Sequence, residues 1–214
     1  MSLIHLPKAA TISLLAWCLV LGGNPALAAS GGRSAGGGGA SADRVPWMVL
    51  GPDEAGPGGP LGVLWFPLSD AETKESGLLT SAKLGAQSTR CVGMVIVAPE
   101  NRKVRAEFEI AEPGTGVVLV DRNNEVAARI VYGGSPIEVR HVERMVEAEL
   151  DRRERDATVA LEAANQKINE KDIDGAEALL TWIWRERCVV PDHAKKAAKA
   201  LKKIGRPVDP AARR

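Results

Sequence analysis

Sulfur is scarce in this chain: three cysteines in 214 residues, at positions 18, 91 and 188. No two of them form a C-x-x-C, so a dithiol redox motif of the usual spacing is excluded. Histidine is as rare, at positions 5, 141 and 193, and none has metal-ligand spacing to a partner. Cysteine and histidine together supply too few donors for a zinc site, and no metal or cofactor is implied. Neither sign of charge is in excess, with a formal net charge of +1, so no global field recruits nucleic acid. Long apolar runs are also missing. The longest, Ile12 to Leu21, is shorter than the roughly 20 residues that span a bilayer.

That short run has a different meaning. Lys8 precedes it and Ala26-Leu27-Ala28 follows it, which is the pattern of a cleavable export signal over residues 1–28. Bulky Trp17 directly before Cys18 argues against lipid attachment at that cysteine. Cleavage before Ala29 removes Lys8 and leaves 27 basic and 27 acidic residues, a chain close to neutral. The expected compartment is therefore the periplasm or the exterior. There Cys91 and Cys188 either pair or remain two buried thiols, and the buried-thiol reading is preferred because they are far apart in sequence.

Residues 29–44 are rich in Gly, Ser and Ala, and read as a flexible tether. Val45 to Leu50 reads as an edge strand, with Pro46 near its start, and Gly51 to Pro60 as a loop. Val63 to Phe66 is a short apolar run of buried-strand character. It leads straight into Ser69 and Glu72, whose S-x-x-E spacing is that of a capping box, and a helix to about Leu84 follows. Cys91 to Ala98 reads as a central strand, Glu100 to Phe108 as a short helix, and Gly116 to Asp121 as the next strand. Asn123-Asn124 marks a hairpin turn to Glu125–Tyr132, and Ser135-Pro136 starts a helix running to Leu150. The order β-α-β-α-β-β-α predicts an α/β sandwich over residues 45–150, its first three strands parallel.

From Asp151 the composition turns charged and alanine-rich. Residues 151–206 read as a helical hairpin plus one helix, with Asp174 and Glu177 capping the second helix and Pro191-Asp192 opening the third. The hairpin and helix either form a separate bundle or pack on the sandwich. Residues 207–214 are a basic tail. Lys195, Lys196, Lys199, Lys202, Lys203 and Arg206, with Arg213 and Arg214, make the end of the chain locally basic. A solvated helix face is the simpler reading, contact with an anionic surface the other. Trp182 and Trp184 face opposite sides of their helix, one toward a core and one outward.

Two segments carry a resemblance. Val63 to Glu75 is similar to the strand, active-site loop and first helix of the thioredoxin-like family, particularly exported thiol:disulfide proteins and redoxins. Val117 to Val126 is similar to that family's third strand and hairpin, where a strand ends in Asp-Arg before a turn. The resemblance implies a thioredoxin-like sandwich over residues 61–150, with a helical extension that it does not cover. Asp174 to Leu180 resembles the middle of one tetratricopeptide helix pair, a single copy of a motif that works in arrays.

The departure is chemical. Where the resemblance places C-x-x-C, this chain has Ser69, Asp70, Ala71 and Glu72. A hydroxyl neither ionises near neutral pH nor forms a disulfide. The position matching the family's cis-proline is Thr115 by an ungapped count, or Pro113 with a two-residue insertion. Ser69 as a nucleophile needs a base, and nothing in the sequence brings His141 or His193 to it. Asp70 and Glu72 are ordinary acidic residues of a helix's first turn. Glu170, Asp172 and Asp174 look like the start of a calcium loop, but position twelve is Thr181, which rejects it. The sequence thus implies an exported, thioredoxin-like binding or scaffolding module with a protein partner and no catalytic residue. The alternative is a thiol-dependent redox enzyme using Cys91, with or without Cys188.

Overall fold

Side chains alternate along a strand, so each apolar run here supplies two cores. The computed structural model describes residues 44–51, 54, 59–206 and 208. The expected signal peptide, nearly all of the tether, part of the Gly51–Pro60 loop and all of the tail but Val208 lie outside the described residues. Five strands form one sheet: β1 (Met48–Leu50), β2 (Leu61–Phe66), β3 (Val92–Val97), β4 (Thr115–Asp121) and β5 (Val126–Tyr132), in the spatial order β1-β3-β2-β4-β5. Helices α1 (Asp70–Glu75), α2 (Ala82–Ser88), α3 (Arg102–Glu107), α4 (Val139–Asn169), α5 (Ile173–Arg185) and α6 (Pro191–Lys203) complete the unit. The fold is therefore α/β, with a mixed sheet and a C-terminal helical part.

The sheet corrects one expectation. β1 and β2 both run parallel to β3, but β4 is antiparallel to β2, with Phe66 opposite Gly116 and Leu61 opposite Asp121. The parallel unit is thus made of β1, β2 and β3, since Met48–Leu50 enters the sheet at its edge beside β3. The hairpin turn follows expectation. Asn124 takes φ 61°, which Asn tolerates, and the Asp121 carboxylate accepts from the amides of Asn123 and Glu125.

On one face Leu64, Phe66, Val95, Val97, Val118 and Val120 pack with Val104 of α3 and with Phe108, which caps its C-terminus. On the other, Val63, Trp65, Met94, Ile96, Val117 and Leu119 pack with Leu84 of α2 and Val142, Val146 and Leu150 of α4. Leu180, Ile183, Ala197 and Leu201 belong to the same cluster. The helical part is therefore packed on the sheet and is not a separate bundle. Fully burying each of those larger aliphatic side chains contributes about 1.5–3 kcal/mol.

The boundary placed at 150–151 falls inside a single helix. α4 is 31 residues long and runs from the sheet into the extension, because its apolar stripe continues from Val142, Val146 and Leu150 to Ala157, Ala160 and Ala164. It begins at Val139, three residues after Pro136. The first helix, in contrast, is shorter than expected. Ser76 caps a 3-10 turn at Gly77–Leu79, and Ser81 caps α2, so each serine hydroxyl restarts the chain after a break. α5 is capped by Asp172, which accepts from Gly175 N, and not by Asp174, which lies in its first turn.

A charged cluster fastens α4, α5 and the β4–β5 turn together. Glu149, almost fully buried, accepts from Arg152 and Arg153 at 2.7 and 2.8 Å. Arg153 also donates to Glu186 at 2.7 Å, and Arg122 of the turn lies 3.6 Å from Glu186. Burial on its own would raise the Glu149 pKa. The hydrogen bonds and charges of the two arginines outweigh it, and the carboxyl lies below the ordinary range.

Candidate functional site

β2 ends at Phe66, and Pro67 and Leu68 carry the chain out of the sheet to Ser69. Ser69 is extended, with φ −159° and ψ 165°, which is the backbone of an N-cap. Its hydroxyl accepts from Glu72 N at 3.3 Å, as the S-x-x-E spacing predicts. The return half of the capping box is displaced. Glu72 Oε2 accepts from Leu68 N at 2.6 Å, one residue before the cap, and Oε1 accepts from the Thr115 hydroxyl at 3.2 Å. Thr115 is fully buried at the start of β4 and also lies 2.8 Å from Phe66 O. One hydroxyl hydrogen serves these two acceptors in turn.

The opposite wall is α3 and the segment before β4. Asn101 caps α3 by accepting from Val104 N at 3.1 Å, and its amide donates to Gly51 O at 2.6 Å. Arg105, only 4% exposed, sends one terminal nitrogen to Pro67 O at 3.2 Å and the other to Gly114 O. Its planar fork thereby joins the exit of β2 to the entry of β4. Its Nε has no partner. Burial pulls the Arg105 pKa below its ordinary range, and Glu112 and Glu72 oppose that shift. Pro113, whose peptide bond to Glu112 is cis, follows on the same rim.

Between the walls lies a cleft of about 570 Å³, lined by Leu68, Pro99, Glu100, Arg105, Glu112 and Pro113 among others. It opens outside the carboxyl ends of β2 and β3. Ligands of open α/β sheets bind in that crevice. Its lining mixes apolar Leu68, Pro99 and Pro113 with two acidic residues, Glu100 and Glu112, and two basic ones, Arg102 and Arg105.

Ser69 has no base. His141 Nδ1 is 2.6 Å from the Tyr132 hydroxyl and its Nε2 is 3.6 Å from Glu138. His193 is paired with Thr158 at 2.9 Å. Asp70 and Ala71 are exposed residues of the first turn and have no hydrogen bond to the cleft. Among the described residues no group of acidic, histidine and cysteine side chains could hold a metal ion.

The cysteines are placed otherwise than expected. Cys91 is not a buried strand thiol: it is exposed, has φ 57°, and stands just before β3. It is joined to Cys188 in a disulfide with a Cα–Cα separation of 5.6 Å. The reason lies in chain path. Val92 pairs with Leu61 at the entry of β2, so Cys91 is at the strand-starting end of the sheet. The α5–α6 connection reaches that same end, where Arg90 donates to Val189 O and pairs with Glu154. Ser69 and the cleft are at the other end, six residues of strand away, roughly 20 Å.

The indoles divide as the helix spacing predicts. Trp182 is 41% exposed, while Trp184 packs against the core with the Arg187 guanidinium 5.0 Å from its ring. The main residue missed from sequence is Arg105. Its one signal is a charge set between Val104 and Phe108, both on the buried side of a short helix.

Comparison of the chain with protein-family models, with curated proteins and with solved structures returned no match in any of the three. The functional reading therefore rests on the geometry of the site.

Proposed function

We propose that this chain is an exported, thioredoxin-like module without the redox dithiol, and that it binds or scaffolds a protein partner in the cell envelope. The observation that carries this reading is Glu72. In the position that the resemblance gives to the second cysteine stands a carboxylate, held by Leu68 N and the Thr115 hydroxyl. It closes the junction of α1, β2 and β4 with hydrogen bonds, beside a cleft that stays open. Both positions that the resemblance offers for the family's cis-proline belong to this junction: Thr115 touches Glu72, and Pro113 lines the cleft. The cleft takes an extended protein segment between its apolar and charged lining residues.

The test is twofold. The chain should show no turnover in insulin-reduction and peroxide-consumption assays. A photo-crosslinking residue at Leu68, on the cleft, should trap a partner in the intact envelope that the same residue at Val159, on an exposed face of α4, does not. Equal trapping from both positions rejects the binding cleft.

A second reading is favoured by one observation, the exposed position of Cys91 in its bond to Cys188. In that reading an external dithiol reduces the pair: its two thiols close into a disulfide as the Cys91–Cys188 bond opens, and Cys91 and Cys188 take up the two electrons and two protons. Turnover that disappears in Cys91→Ser establishes it in place of the binding module.

A further inference from the structure

We propose that α6 is an electrostatic docking face for an anionic lipid surface. Lys195, Lys196, Lys199, Lys202 and Lys203 are all exposed, whereas Ala194, Ala197 and Leu201 of the same helix are buried. At 3.6 residues per turn the five lysines fall within about a third of the circumference, along about 12 Å of helix. Among the described residues, Lys195 alone of the five has an ion pair, with Asp192. Lys196, Lys199, Lys202 and Lys203 make no hydrogen bond or salt bridge with the described residues, although other basic residues are paired across elements, as Arg153 is to Glu186 and Arg206 to Asp174. Positive charge is thus concentrated on one face of a chain whose formal net charge is only +1.

The shape of the face selects the occupant. It is one side of a convex helix, and neither the cleft beside Ser69 nor the smaller cavity around Arg122 and Trp182 includes any of its residues. A folded acidic partner would need a complementary concavity. A plane of headgroup phosphates needs only a row of mobile point charges, and lysine is that kind of charge. No large apolar side chain shares the face, so the helix adsorbs without inserting. Among the described residues no helix is long and apolar enough to cross a membrane, which leaves adsorption as the mode of contact for this part of the chain.

The experiment is sedimentation of the full chain with vesicles of phosphatidylcholine alone or with about a third phosphatidylglycerol. Any contribution of the apolar N-terminal run and of Lys8 is the same in the wild type and in the variant below, so it cancels in their comparison. Each lysine near such a surface strengthens binding about fivefold. The wild type should therefore bind the anionic vesicles at least a hundredfold more tightly, and lose most of that preference in about 0.5 M salt. The variant K196Q/K199Q/K202Q/K203Q keeps the buried face of α6, should unfold at the same temperature, and should lose the preference. Equal binding to both vesicles overturns the proposal. So does a preference that survives in the variant, or retention by a soluble polyanion such as polyglutamate with none by anionic vesicles.

Discussion

The carboxylate of Glu72 and the hydroxyl of Thr115 meet at 3.2 Å, although 43 residues separate them. Through this contact the first turn of α1 is fastened to the start of β4, and through Leu68 N at 2.6 Å it is fastened to the exit of β2. Three elements converge on one side chain. The junction is a hydrogen-bonded latch. The Ser69 cap alone would stabilise α1 by about 1 kcal/mol. The latch adds a tie that a cap cannot, because its two partners lie outside the helix.

Glu72→Ala should lower unfolding free energy by about 1–3 kcal/mol, the cost of leaving partly buried polar groups unpaired. Glu72→Gln should recover part of it, since its carbonyl oxygen can still accept from Leu68 N. Urea denaturation of the three proteins checks the order. An alanine variant as stable as the wild type would show that the latch holds nothing.

Arg105→Met should be more damaging than its size suggests. The substitution leaves Pro67 O and Gly114 O without their donor in a buried place, at about 1–3 kcal/mol for each group not rescued by water. Arg105→Lys should fall between, because one ammonium cannot reproduce a planar fork across two carbonyls. Thermal unfolding gives the ranking, and the crosslink trapped from Leu68 should weaken in parallel.

Much of this arrangement was legible in the sequence, and the failures have physical causes. Apolar runs of strand length located β2, β3 and β4, since burial on both faces leaves nothing polar inside them. Ser69 with Glu72 located the start of α1, because an N-cap is a local interaction. What failed was everything that depends on partners distant in the chain. The direction of β4 relative to β2 is set by the sheet as a whole. The second half of the capping box was drawn off by Leu68 and by Thr115, which no spacing rule connects to Glu72. Cys91 and Cys188 are 97 residues apart, and only the return of the α5–α6 connection to the strand-starting end brings them together. The change of composition at residue 151 does not end a helix, because the apolar stripe of α4 continues beneath it.

The disulfide gives a direct prediction. Closing a loop of about 100 residues restricts the unfolded chain by up to about 4–5 kcal/mol on the entropic account, and removal of native bridges usually costs 2–5 kcal/mol. Cys188→Ala should lower the denaturant midpoint accordingly. Dithiothreitol should shift the wild type to nearly the same midpoint and leave the variant unmoved. A thiol titration of the unfolded, unreduced chain should find neither Cys91 nor Cys188 reactive.

The buried cluster around Glu149 makes stability depend on pH, and the direction follows from the shift. The carboxyl of Glu149 is held below the ordinary glutamate value in the folded protein, because Arg152 and Arg153 overcome the effect of burial. The unfolded chain therefore takes up the proton first as pH falls. The contribution of Glu149 is complete above its unfolded value, about 4.3, and is lost as pH drops toward the folded value. Glu149→Gln removes that charge while keeping the shape of the side chain, so its unfolding free energy should fall below the wild type at neutral pH and converge with it in acid. Urea midpoints measured between pH 7 and pH 3 give the two curves. A constant offset across that range would mean that the arginines hold Glu149 by packing alone. Convergence would locate the tie between sheet and helical extension in the charges of Glu149, Arg153 and Glu186.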